Sequence, residues 1–197
     1  ARKRLSKRQG GKSDSVDEHS EEIDEVLKAY KNKGDNHTVK RELVFGDKCT
    51  LDHLENGNFP LPRANATLEH CVDGGKKNSD HLWLFGGEYF DGVENVVLDE
   101  LLRFDATKKE WRQVTTPPSI PSPPPRCAHS CVSYKSCLYV WGGELASADQ
   151  YFHYRDLWKF DTNTLEWTEI KARDAPSARS GHSCFVWKQY MIIFGGF

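Results

Sequence analysis

A diglycine closes a short apolar run three times in this chain, at Gly86-Gly87, Gly142-Gly143 and Gly195-Gly196, with spacings of 56 and 53 residues. A period near fifty residues with aromatic landmarks dictates stacked structural units rather than one irregular core. The frame recurs around each pair. Leu82-Trp83-Leu84-Phe85 aligns with Leu138-Tyr139-Val140-Trp141 and with Met191-Ile192-Ile193-Phe194. Downstream, Phe104-Asp105 followed by Trp111 matches Phe160-Asp161 followed by Trp167. Upstream, Arg126-Cys127-Ala128-His129-Ser130 matches Arg179-Ser180-Gly181-His182-Ser183, and Arg63-Ala64-Asn65-Ala66-Thr67 is a worn first copy.

Each landmark predicts a local structure. The runs before the diglycines are apolar at nearly every position, which suits strands buried on both faces. Paired glycines at a strand end permit backbone conformations and close approaches that a Cβ forbids. Asp105 and Asp161 each precede a polar stretch that reads as a turn. Trp111 and Trp167 then open a further strand, set to pack on Phe104 and Phe160. The runs 129–134 and 182–187 supply the remaining strand. Four short antiparallel strands per period and no helix predict the blades of a β-propeller.

On these residues the chain resembles the kelch-repeat family. The diglycine, the aromatic–Asp turn and the spaced Trp carry the likeness over residues 62–197. The stretches Phe85–Phe90 and Tyr151–Trp158 narrow it to one kelch domain-containing subgroup with fungal members. The expected fold is all-β: a partial kelch propeller with two complete four-stranded blades (about 62–115 and 126–171) and half of a third (181–197). Gly86, Gly87, Trp111, Gly142, Gly143, Trp167, Gly195 and Gly196 are its structural residues. Because a blade buries its faces only against neighbours, the chain is expected to be the N-terminal piece of a longer ring, with a half-ring oligomer as the rival. The resemblance implies a non-catalytic protein-interaction module. A ubiquitin-ligase substrate receptor and a propeller enzyme, as in the copper radical oxidases, are the alternatives.

Residues 1–61 read differently. Arg2, Lys3, Arg4, Lys7, Arg8 and Lys12 form a basic block, and seven acids between Asp14 and Glu25 form an acidic one. Such blocks predict a solvated, largely disordered tail. Ile23, Val26, Leu27 and Tyr30 stand at helical period and predict one helix near 20–33, capped by Ser20. The run Arg2 to Arg8 is either a solubilising tail or a nuclear address. The prolines from Pro117 to Pro125 predict a stiff connector, with a polyproline docking surface as the competing use.

Composition bounds the function. A net charge of −2 gives no overall field toward nucleic acid or membrane, and no apolar run approaches the length of a span. Six cysteines without a signal sequence suit a reduced, cytoplasmic protein. Cys127, His129 and Cys131 alternate, which on a strand puts them on one face, yet three zinc ligands rarely come from one strand. His129 with Ser130, and His182 with Ser183, are neighbours on a strand and point to opposite faces, so neither pair makes a catalytic dyad. The expectation is no catalytic residue, metal, cofactor or small-molecule substrate, and an unidentified protein as partner. By kelch analogy, Arg63, Arg126 and Arg179 lie on a binding face, free for bidentate contacts to a partner's acids or spent within the blade. The aromatics Tyr151 and Phe152, on the long loop 147–154, are the second candidate surface.

Overall fold

Fifteen strands follow from this pattern in a computed structural model that describes residues 48–54, 59–72, 80–146 and 151–197. The expected helix near 20–33 and most of the charged tail lie outside the described residues. The first sheet contains β1 (Thr50–His53), β2 (Thr67–Val72), β3 (Asp80–Phe85), β6 (Leu101–Asp105) and β7 (Glu110–Thr115). Its order is β1-β7-β6-β3-β2, antiparallel throughout. The second sheet contains β8 (Ser130–Tyr134), β9 (Cys137–Trp141), β12 (Leu157–Asp161) and β13 (Glu166–Ile170), ordered β13-β12-β9-β8. β14 (His182–Trp187) and β15 (Tyr190–Gly195) form a two-stranded third sheet.

Two features differ from the sequence expectation. β1 falls inside residues 1–61, where the sequence predicts tail, and it pairs with the outer strand of the first blade from Thr50↔Thr115 to His53↔Arg112. A four-residue strand with mostly exposed side chains leaves too little apolar pattern to detect. Second, the segment between the second and third strand of each blade is a hairpin of its own. β4 (Glu88–Phe90) pairs with β5 (Asn95–Val97), and β10 (Glu144–Ala146) pairs with β11 (Tyr151–His153). What read as a long loop over 147–154 is therefore partly strand.

The turns follow from their residues. Asp105 Oδ1 accepts from the backbone N–H groups of Thr107 and Lys108, both at 3.0 Å, and Asp161 Oδ1 accepts from those of Asn163 and Thr164 at 3.0 and 3.4 Å. These side-chain caps fix the β6–β7 and β12–β13 hairpins. Their registers bring Phe104 opposite Trp111, with ring centroids 5.0 Å apart, and Phe160 opposite Trp167, at 4.9 Å.

The core lies between the first two sheets. Trp83 meets Phe160 edge-on at 5.3 Å, and Phe85 meets Trp167 at 5.4 Å. The second strand of one blade thus packs its aromatics on the outer strands of the next. Trp167 is only 6% exposed for this reason, whereas Trp111, its repeat equivalent, is half-buried. On the β14–β15 sheet the matching apolar side chains, Phe185, Trp187, Tyr190 and Phe194, are exposed.

Candidate functional site

The repeated arginines sit at the joints between blades. Arg63 donates from Nη1 to the Gly86 carbonyl at 3.2 Å and from Nη2 to Glu100 at 2.9 Å. Arg126 donates to the Gly142 carbonyl at 3.0 Å and to both oxygens of Asp156 at 2.7 Å each. Arg179 repeats the first contact, reaching the Gly195 carbonyl at 2.8 Å, and bonds Ser177 Oγ at 2.9 Å. Of the two uses open to these arginines, the structure takes the internal one. The Arg63 side chain is 4% exposed and that of Arg126 is fully buried, with its guanidinium carbon 4.2 Å from the centre of the Tyr154 ring. The guanidinium contacts of Arg63 and Arg126 thus lie within the frame.

Arg126 and Arg179 also hold the preceding blade through their backbone. The Arg126 carbonyl accepts from the Gly87 N–H at 2.9 Å, and the Arg179 carbonyl accepts from the Gly143 N–H at 2.9 Å. This approach is what requires glycine. Gly86 has φ +62, and a Cβ there would fall 2.5 Å from the Arg126 carbonyl oxygen and 2.9 Å from the His129 ring. Side chain to its own diglycine and carbonyl to the previous one, a single residue type joins two blades.

Burial raises the Asp156 carboxyl, but the Arg126 charge, its hydrogen bonds and the Trp158 indole at 2.6 Å outweigh that and hold it below the usual carboxylate range. His129 lies against Phe85 edge-on at 5.2 Å, with Nε2 2.9 Å from Thr67 Oγ1 of the first blade. Burial, and then the Arg126 charge, lower its pKa to about 3, so it is neutral. Cys127, His129 and Cys131 do not share one strand face, because Ala128 between them has φ +51 and ends the strand pattern before Ser130. Burial, followed by Glu88 and Glu144, pushes the Cys127 thiol up to about 12, which disfavours the thiolate that a metal needs. Ser130 Oγ donates to the His182 carbonyl at 3.0 Å and does not meet His129.

The two hairpin arms also carry exposed side chains. Among the sequence candidates, Tyr151 is 53% exposed, Phe152 is half-buried, and Tyr154 is buried with its hydroxyl donating to the Pro125 carbonyl at 3.0 Å. Tyr151 donates to Glu144, which also faces His153 Nε2 at 3.6 Å. The connector from Pro117 to Pro125 is packed rather than offered along its length, since Pro117 and Pro123 are buried. The other arm was missed in the sequence. Phe90 and Val93, at the end of β4–β5, are 66% and 83% exposed. Asp91-Gly92 between apolar neighbours is a hairpin signal that could have found it.

Comparison with known proteins agrees with this geometry. Residues 49–197 match the family model of the KLHDC2/KLHL20/DRC7 Kelch-repeats domain, a span that includes β1. The chain is similar to human Kelch domain-containing protein 3, 29% identical over 122 residues, covering 59% of this chain and 31% of the relative. It is similar also to the human Rab9 effector protein with kelch motifs, 33% identical over 157 residues, covering 77% of this chain and 40% of the relative. It therefore spans well under half the length of these relatives. A solved structure, that of YjhT, superposes with a TM-score of 0.50 at 20% identity, over 71% of this chain and 36% of the other.

Proposed function

The chain belongs to the kelch-repeat family, and from that premise we propose that it is a non-catalytic protein-interaction module whose binding end is the one carrying the β4–β5 and β10–β11 arms. One observation carries this reading. The polar residues at the joints are spent inside the frame, while Phe90, Val93 and Tyr151 on the arms face solvent. A rigid scaffold that exposes aromatic and apolar side chains from its connections is how repeat proteins present interfaces. A relative named as a Rab9 effector is consistent with a protein partner.

The test replaces both arms with tight turns in the full-length protein and compares the proteins recovered by proximity labelling in cells. Loss of recurrent partners with an unchanged circular dichroism spectrum supports the reading. Retention of all partners overturns it. A scaffold and a ubiquitin-ligase substrate receptor would use the same end. They separate by the partner's half-life, which lengthens on removal of this protein only for the receptor. A propeller enzyme is the remaining alternative; it would require bound metal, and purified full-length protein without stoichiometric copper or zinc would rule it out. Within the family we place the chain with kelch domain-containing protein 4 and its fungal relatives, on the stretches 85–90 and 151–158. The accompanying location is the cytoplasm, with the nucleus as the outcome if deletion of Arg2 to Arg8 redistributes a fluorescent fusion.

A further inference from the structure

The β4–β5 arm is ordered by polar contacts at both ends, yet its tip is apolar. At its base, Glu88 accepts from Asn65 Nδ2 at 2.7 Å and from Asn95 Nδ2 at 2.8 Å, which ties the arm to the first blade and its two strands to each other. At its tip, Asp91 Oδ1 accepts from the backbone N–H groups of Val93 and Glu94, both at 2.8 Å, and the Asp91 N–H donates to the Glu94 carbonyl at 3.2 Å. Gly92 supplies the φ of +105 that the turn needs. A loop left loose by its sequence would not spend four side-chain hydrogen bonds on its own shape. Preorganisation of this kind removes the ordering cost from a binding event.

The side chains that this order displays are Phe90 and Val93. The stretch of chain that carries them holds one sign of charge. From Gly86 to Leu102 the chain has Glu88, Asp91, Glu94, Asp99 and Glu100 and no Lys or Arg, and Arg63 pairs with Glu100. The turns at the other end of the blade strands carry Lys108, Lys109, Lys135 and Lys188 instead. An apolar knob with an acidic collar fits a partner surface that offers an apolar socket rimmed by Lys or Arg. The like-charged alternative is repelled.

On the footing of the protein-interaction reading above, we propose that the β4–β5 arm docks a basic protein segment, with Phe90 and Val93 as its anchors and Glu94 as the exposed acid that selects the partner's charge. The apolar residues supply the affinity, as buried anchors at interfaces do. The rim acid governs the association rate and its salt dependence.

The probe is a fluorescein-labelled amphipathic peptide built only of Lys and Leu, titrated into the full-length protein and followed by anisotropy, with a Glu-and-Leu counterpart as control. The expected result is saturable binding of the basic peptide that weakens with salt. Phe90→Ser and Glu94→Lys should each weaken it by about tenfold, a difference of about 1.4 kcal/mol, and Phe185→Ser on β14 should not. Equal binding of the acidic peptide, no binding, or the same loss from Phe185→Ser overturns the proposal. The same variants separate it from the broader reading. If the partners lost on replacing both arms are kept by Phe90→Ser and Glu94→Lys, the arm proposal falls and the interaction module stands.

Discussion

Arg126 and Asp156 form a forked, two-bond ion pair at 2.7 Å, buried at the joint between the first two blades, and the same guanidinium caps the Gly142 carbonyl. Bidentate geometry and the Trp158 bond satisfy most of the polar atoms that burial strips of water, so the pair is tolerable where it sits. Removing one partner leaves the other charge buried and unmatched. Arg126→Ala is therefore expected to lower unfolding stability by roughly 3–5 kcal/mol. Replacing both groups with apolar residues of similar volume should cost clearly less. Urea denaturation of the two variants checks this, and an equal loss from both would mean that the charge pair is not the cause.

A Cβ at Gly86 meets the Arg126 carbonyl, whereas one at Gly92 meets nothing within 4 Å, although both residues have positive φ. The two positions separate backbone strain from collision. Gly92→Ala is expected to cost about 1–2 kcal/mol, the strain of a left-handed alanine. Gly86→Ala adds the overpacking of a fixed carbonyl and should cost roughly 2–5 kcal/mol in total. Comparable melting temperatures for the two variants would show that the close approach at the joint is not limiting.

The frame was legible because it repeats: strand ends, turns and the Phe–Trp pairs follow from residues a few positions apart. The direction of the arginines was not. Glu100 and Asp156 stand 37 and 30 residues from Arg63 and Arg126, across arms that the sequence did not mark as strands. Each acid lies fourteen residues past its blade's first glycine, but only the fold shows that this position, immediately before the third strand, meets the arginine. The apparent Cys127–His129–Cys131 face failed for a local reason. A single positive φ at Ala128 breaks the alternation, and alanine gives no sign of it in sequence. Phe90 and Val93 were overlooked because an exposed apolar tip reads as part of the buried run that precedes it.

Trp111 and Trp167 occupy the same repeat position but not the same environment. Trp167 touches Phe85 of the neighbouring blade as well as its own Phe160, while Trp111 pairs with Phe104 and stays half-exposed. Trp167→Ala is expected to destabilise by roughly 3–5 kcal/mol, as for a fully buried large side chain. Trp111→Ala should cost less than half of that, since part of its ring is already hydrated. A loss below about 1 kcal/mol at Trp167 would contradict the packing between blades.

His129 gives the joint a pH dependence of fixed sign. Free imidazole titrates at 6.5, and in the fold burial brings it down to about 3. The unfolded chain therefore binds this proton first on acidification. The stability that the neutral ring contributes is complete above 6.5 and is lost progressively as pH falls toward 3, at up to about 1.4 kcal/mol per pH unit. His182, also lowered by burial and then by Arg179, acts in the same direction. Glu69, raised by burial, opposes both, and Asp156 joins them only below the ordinary carboxylate value of 3.8. Between pH 6.5 and 4 the slope is thus set mainly by the histidines. His129→Gln keeps an acceptor within reach of Thr67 and removes the proton site. It should flatten the stability profile across this interval, measured by urea midpoint against pH. An unchanged slope would mean that His129 is hydrated and titrates near its ordinary value.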